Sequence, residues 1–170
     1  MILTSALMLT LALTSSLKDN SSHWSAFKAK DGSFTVSFPT PPQLLTRDEN
    51  ILGLKLTFKG AGSYTAAGGF LVLYCDFPKQ SKAQSLSKSM FAGACAKIEE
   101  SGKFKMTQQT DFKFGTYPGK MIVLEGANDL AIKDFLIVAG DRFYQVMAAT
   151  NTSKLKDPAL DQFFNSFSIK

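Results

Sequence analysis

Two cysteines, a single histidine and a few neighbouring carboxylates are the residues of this 170-residue chain whose types and spacing could do chemistry. A Ser-His-Asp relay needs an imidazole to carry the proton, and His23 is the sole candidate. It stands near a predicted mature N-terminus, where chain ends are usually solvated, and no G-x-S-x-G elbow accompanies it. Zinc wants three or four Cys or His ligands; Cys75 and Cys95 come without C-x-x-C or H-E-x-x-H spacing. Glu99-Glu100, Asp48-Glu49 and Asp129 with Asp134 have the composition of calcium or glycosidase carboxylates. They lie in polar stretches without a D-x-D-x-D-G loop, so a solvated surface accounts for them. Gly60, Gly62, Gly68 and Gly69 lack the G-K-[ST] of a phosphate loop and read as a mobile hairpin loop. Tyr117-Pro118-Gly119-Lys120 reads as a type II turn, with Gly119 supplying the positive φ. The expectation is a non-enzymatic protein with no catalytic residues, no cofactor-binding residues, no metal site and no cofactor.

Cys75 and Cys95 leave two readings open. An exported chain with an even cysteine count fits one disulfide, closing a loop of roughly twenty residues. Two buried thiols acting as small hydrophobes fit equally well.

The elements that would position these residues follow from periodicity. Phe34, Val36 and Phe38 alternate with Thr35 and Ser37 in a half-buried strand, and Asp31-Gly32 closes a hairpin onto residues 24–29. Pro39, Pro41 and Pro42 then end strand pairing. Leu52, Leu54, Leu56 and Phe58 share one face of a further strand, and the nearly continuous apolar run 70–77 predicts a central strand covered on both faces. Strand-like runs at 104–114, 120–125, 131–138 and 142–150 are separated by turns too short for parallel crossovers, so antiparallel neighbours are expected.

Two helices are predicted. Ser81 and Gln84 form a capping box, Gly102 a C-terminal stop, and Leu86, Met90, Phe91, Ala94 and Ile98 a core stripe with Cys95 at its edge. At the end of the chain Asp157 caps, Pro158 takes the first helical position, and Leu160, Phe163, Phe164 and Phe167 make the buried face. The predicted fold class is α+β: an α/β/α sandwich with a central antiparallel sheet and helices on both faces.

Residues 1–16 belong to an apolar, uncharged run that reads as a signal peptide ended by Lys18, Asp19 and Asn20. It is shorter than the roughly 20 residues of a spanning helix, so no transmembrane span is expected in the mature chain. Residues 17–170 then form a single domain, exported to a periplasm, a lumen or the medium. The net charge of +5 comes from scattered lysines without a long basic run or an aromatic RNA-binding motif, so no nucleic-acid partner is expected.

The runs DGSFTVSFPTPP, TYPGKMIVLEG, DRFYQVMAAT and FFNSFSI, in this order, resemble the PsbP-like superfamily over most of residues 24–169, in its uncharacterised exported bacterial branch. The resemblance implies a PsbP/Mog-type antiparallel sheet flanked by helices, and roles exerted through binding other proteins. It carries over no functional residue, since one histidine cannot rebuild the metal sites proposed for some photosystem II subunits. The expected function is a non-catalytic binding or assembly module that contacts a protein of the cell envelope. The alternative is a carrier of a small apolar or anionic ligand beneath the Gly60–Gly69 loop.

Overall fold

A computed structural model describes residues 24–51, 53–66, 68–78, 88–93, 95 and 103–170. The predicted signal segment 1–16, His23, Glu99-Glu100, the Ser81–Gln84 cap and the Gly102 stop lie outside the described residues.

The chain opens with β1 (Ser25–Lys28) and β2 (Phe34–Phe38), followed by β3 (Gln43–Ile51), β4 (Leu54–Thr65) and β5 (Gly68–Asp76). Residues 88–93 and 95 are helical. The second half runs β6 (Phe104–Phe114), β7 (Tyr117–Gly126), β8 (Leu130–Ala139), β9 (Arg142–Asn151), a 3-10 turn (Thr152–Lys154), a closing helix (Pro158–Ser166) and β10 (Ser168–Ile169). Seven strands make one antiparallel sheet in the order β3-β4-β5-β9-β8-β7-β6. The other three form a small antiparallel sheet, β1-β2-β10.

This architecture corrects the predicted α/β/α sandwich: the described residues are mostly strand, in two sheets, and helix is a minor component. The prolines supply the reason. Pro39, Pro41 and Pro42 interrupt hydrogen bonding between β2 and β3, so β2 leaves the main sheet. Its apolar side must still be buried, and Phe34, Val36 and Phe38 pack face to face onto β5 and β9 beside the closing helix. Strand β3 was not anticipated at all, because the polar run QLLTRDENI of an edge strand lacks an apolar alternation.

Local signals hold elsewhere. Gly32 takes a positive φ of 75° in the β1–β2 turn. The Asp157 carboxylate accepts a 2.9 Å hydrogen bond from the Ala159 N–H, with Pro158 at the helix start. Leu160, Phe163, Phe164 and Phe167 are all buried, and β5 sits between β4 and β9 with both faces covered.

Two other predictions fail. Residues 60–65 continue β4 and residues 68–69 begin β5, so the expected glycine-rich loop is strand. Gly60 is there for close approach: a Cβ at that position would come within 1.9 Å of the Val72 carbonyl oxygen. The turn expected at Pro118-Gly119 is also strand. β6 and β7 are joined by two residues, Gly115 and Thr116, and the positive φ of 61° belongs to Gly115.

Candidate functional site

A recess among the described residues lies where the β6–β7 hairpin meets helical residues 88–93 and 95. A groove of about 710 Å³ is lined there by lysines 88, 113 and 120, by Phe91, Ala92 and Cys95, and by Gln109, Asp111, Phe112, Thr116, Pro118 and Gly119. A β-bulge makes this lining. The pairing of β6 with β7 shifts between Met106 and Gln108, leaving Thr107 as the extra residue, whose hydroxyl donates to the Val123 carbonyl at 3.4 Å. Before the bulge, Phe104 and Met106 pack on one face of the sheet; after it, Phe112 and Phe114 pack on the other. The inserted residue thereby turns Gln109 and Asp111 toward the groove.

The walls are held from behind. The Phe112 ring stacks 5.0 Å from Phe135 and lies over Gly119, where a Cβ would approach it to 2.8 Å. Phe91 packs against Phe143 at 6.4 Å. The Cys95 thiol reaches the Gln109 carbonyl oxygen at 3.7 Å. Lys120 donates to Asp111 at 2.5 Å. Lys88 and Lys113 have no carboxylate within ion-pair distance among the described residues.

Asp134 lies in the same face of the sheet, one cross-strand row from Lys120, and is fully buried between Ile122 and Met147. Gln145 donates to its Oδ2 at 2.6 Å, while its Oδ1 has no partner. Burial pushes its pKa up to about 7 against the smaller opposing effect of the Gln145 hydrogen bond. Nothing in the sequence marked it beyond its distance from Asp129, which sits in the β7–β8 turn with a φ of 61°. The two are not a carboxylate pair. Asp48 and Glu49 are likewise separate: Asp48 pairs with Lys55 and Thr57, Glu49 with Arg47.

Cys75 is buried and Cys95 half-buried in the core of that face. Burial raises the Cys75 pKa to about 12, with the Asp76 charge adding to the effect, so this thiol is inert as a nucleophile. Sequence reasoning also missed Arg142. Its guanidinium forks onto Asp76 at 2.5 and 3.0 Å, reaches Asp31 in the β1–β2 turn at 2.7 Å and lies 4.5 Å above the Tyr74 ring. Burial opposes ionisation of Asp31, but hydrogen bonds from Ser33 and the Arg142 guanidinium outweigh it and hold the pKa near about 2. This cluster clasps the small sheet to the large one. No group of three or more His, Cys, Asp or Glu residues is placed to hold a metal among the described residues, and no described helix is long and apolar enough to cross a membrane.

No family model matches the chain, and no curated protein matches it in sequence. Solved structures do give a match, and the fold they define is PsbP-like. The cyanobacterial PsbP protein CyanoP from Synechocystis sp. PCC 6803 superimposes with a TM-score of 0.58 over 93% of this chain and 99% of its own, at 7% sequence identity. A Pseudomonas aeruginosa protein of unknown function overlaps less well, with a TM-score of 0.44 and 11% identity over 82% of this chain and 92% of its own. At such identities the likeness is one of fold, and residue roles do not transfer.

Proposed function

We propose that this protein is a non-catalytic, exported accessory protein whose working surface is the groove between the β6–β7 hairpin and helical residues 88–93 and 95. The observation that carries the reading is the groove's size and lining. At about 710 Å³ it falls within the roughly 300–1,000 Å³ of small-molecule sites, with Phe91, Ala92 and Pro118 among charged and polar lining groups. That favours carriage of a small ligand, in this groove rather than beneath the predicted glycine-rich loop, where residues 60–65 and 68–69 are strand. Export is supported by the apolar run that begins the sequence.

The second reading is assembly with a protein of the cell envelope. A stable protein interface covers about 800 Å² per partner around a clustered apolar centre. The large exposed apolar side chains among the described residues are dispersed instead: Leu44 on edge strand β3, Tyr64 near the end of β4 and Tyr117 at the β6–β7 hairpin. The hairpin tip beside the groove favours this reading only as a small contact.

Native mass spectrometry of the protein mildly extracted from its source tests the first reading. A bound small molecule that is lost when Ala92→Trp fills the groove is the expected result. Protein that is unliganded from the outset overturns it. A photo-crosslinker at Thr116 that captures one protein, while one at Leu44 captures none, would then favour assembly.

A further inference from the structure

The groove's charge and its apolar walls select a narrower ligand class than its size does. Of its four charged lining residues, Asp111 and Lys120 neutralise each other, and Lys88 on the helical wall and Lys113 on β6 have no carboxylate partner among the described residues. Phe91 and Ala92 lie on the helical side and Pro118 on the hairpin side. A neutral apolar ligand would offer neither ammonium group a counter-charge. A small inorganic anion would leave the apolar walls facing water. Only a molecule with an acidic end and an apolar body satisfies both sets of groups.

We propose that the groove binds a small amphipathic anion, with its carboxylate drawn to Lys88 and Lys113 and its alkyl or aryl body laid against Phe91 and Pro118. This rests on the ligand-carrier reading above and adds the charge requirement to it. The two ammonium groups are solvated, so they act mainly as discriminators. Each exposed charge pair is worth little alone, but two converging on one carboxylate give about a tenfold preference over a neutral isostere and make that preference fall with salt.

The test is calorimetric titration of the full chain with decanoate and, separately, with decanol at low ionic strength. Decanoate is expected to bind about tenfold more tightly than decanol. Lys88→Gln with Lys113→Gln is expected to erase that preference, the double Arg variant to keep it, and Lys55→Gln with Lys105→Gln, outside the groove, to leave it unchanged. Equal binding of decanoate and decanol overturns the charge requirement and leaves the carrier reading standing. So does a preference that survives in the Gln double variant, or one lost equally in the Lys55 and Lys105 control. Binding of neither compound overturns the carrier reading and this inference together.

Discussion

The two faces of the seven-stranded sheet are built from different side chains. One is an aromatic interior: Phe34, Phe38, Phe70, Phe163, Phe164 and Phe167 interlock with Tyr144 and Tyr74 at centroid separations of 5.1 to 6.3 Å. A second sheet and the closing helix cover it. The opposite face is mainly aliphatic, with Leu56, Leu71, Leu73, Ile122, Leu124, Ile132 and Leu136, and it also holds a free thiol, a buried carboxylate and the groove. The aromatic face gains rigidity from rings that are large and few in rotamers. The aliphatic face accommodates polar groups whose burial opposes stability, as functional sites commonly do. The aromatic packing and the proposed binding groove therefore fall on opposite sides of one sheet.

That division can be broken by experiment. Phe163→Ala removes a fully buried ring that meets Phe70 at 5.1 Å, Phe38 at 5.7 Å and Phe164 at 5.5 Å. The expected loss is about 3–5 kcal/mol in urea unfolding, with decanoate affinity of the folded fraction unchanged. A large change in affinity would mean that the faces are coupled.

Asp134 offers the next largest effect, on the other face. Its folded pKa of about 7 lies above the unfolded value near 3.8, so between these pH values the folded state retains a proton that the unfolded state has released. Stability is therefore full at acid pH and falls as pH rises, by at most about 4 kcal/mol by pH 8. Denaturant midpoints measured from pH 4 to pH 8 should show this decline in the native chain and a flat profile in Asp134→Asn.

Smaller effects sharpen the comparison. Asp157→Ala removes the cap of the closing helix and should cost about 1 kcal/mol in thermal or urea unfolding without touching the groove. In the groove the reverse pattern is expected. Asp111→Asn frees Lys120 from its 2.5 Å partner, changes stability by less than about 0.5 kcal/mol, and should tighten decanoate binding two- to fivefold. Weaker binding in that variant would show that the carboxylate itself contacts the ligand.

Much of the aromatic face was legible in the sequence because local rules and tertiary packing agree there. The Asp157 cap, Pro158 and the spacing of Leu160, Phe163 and Phe164 each point to the helix that forms. Phe34, Val36 and Phe38 alternate as a half-buried strand does. The groove was not legible. Strict alternation along β6 would place Phe104, Met106, Phe112 and Phe114 on one face and Gln109 and Asp111 on the other. The bulge at Thr107 reverses that assignment midway, and no residue type announces it.

Glycine misled for a related reason: Gly60 and Gly119 look like turn residues but serve backbone and ring contacts that exist only once β4 meets β5 and Phe112 crosses β7. Asp134 looked like any other acid, and its burial depends on strands 11 residues and more away in sequence.

The sequence by itself determined the strands with apolar alternation, the antiparallel succession from β6 to β9, and the capped closing helix, because those depend on neighbours within a few residues. Tertiary structure alone decided that β2 would leave the main sheet to cover it, that a bulge would turn Asp111 toward Lys120, and that Lys88 and Lys113 would line one groove. Those outcomes depend on long-range register and on which surface is left to be buried, and neither is encoded in the periodicity of any single segment.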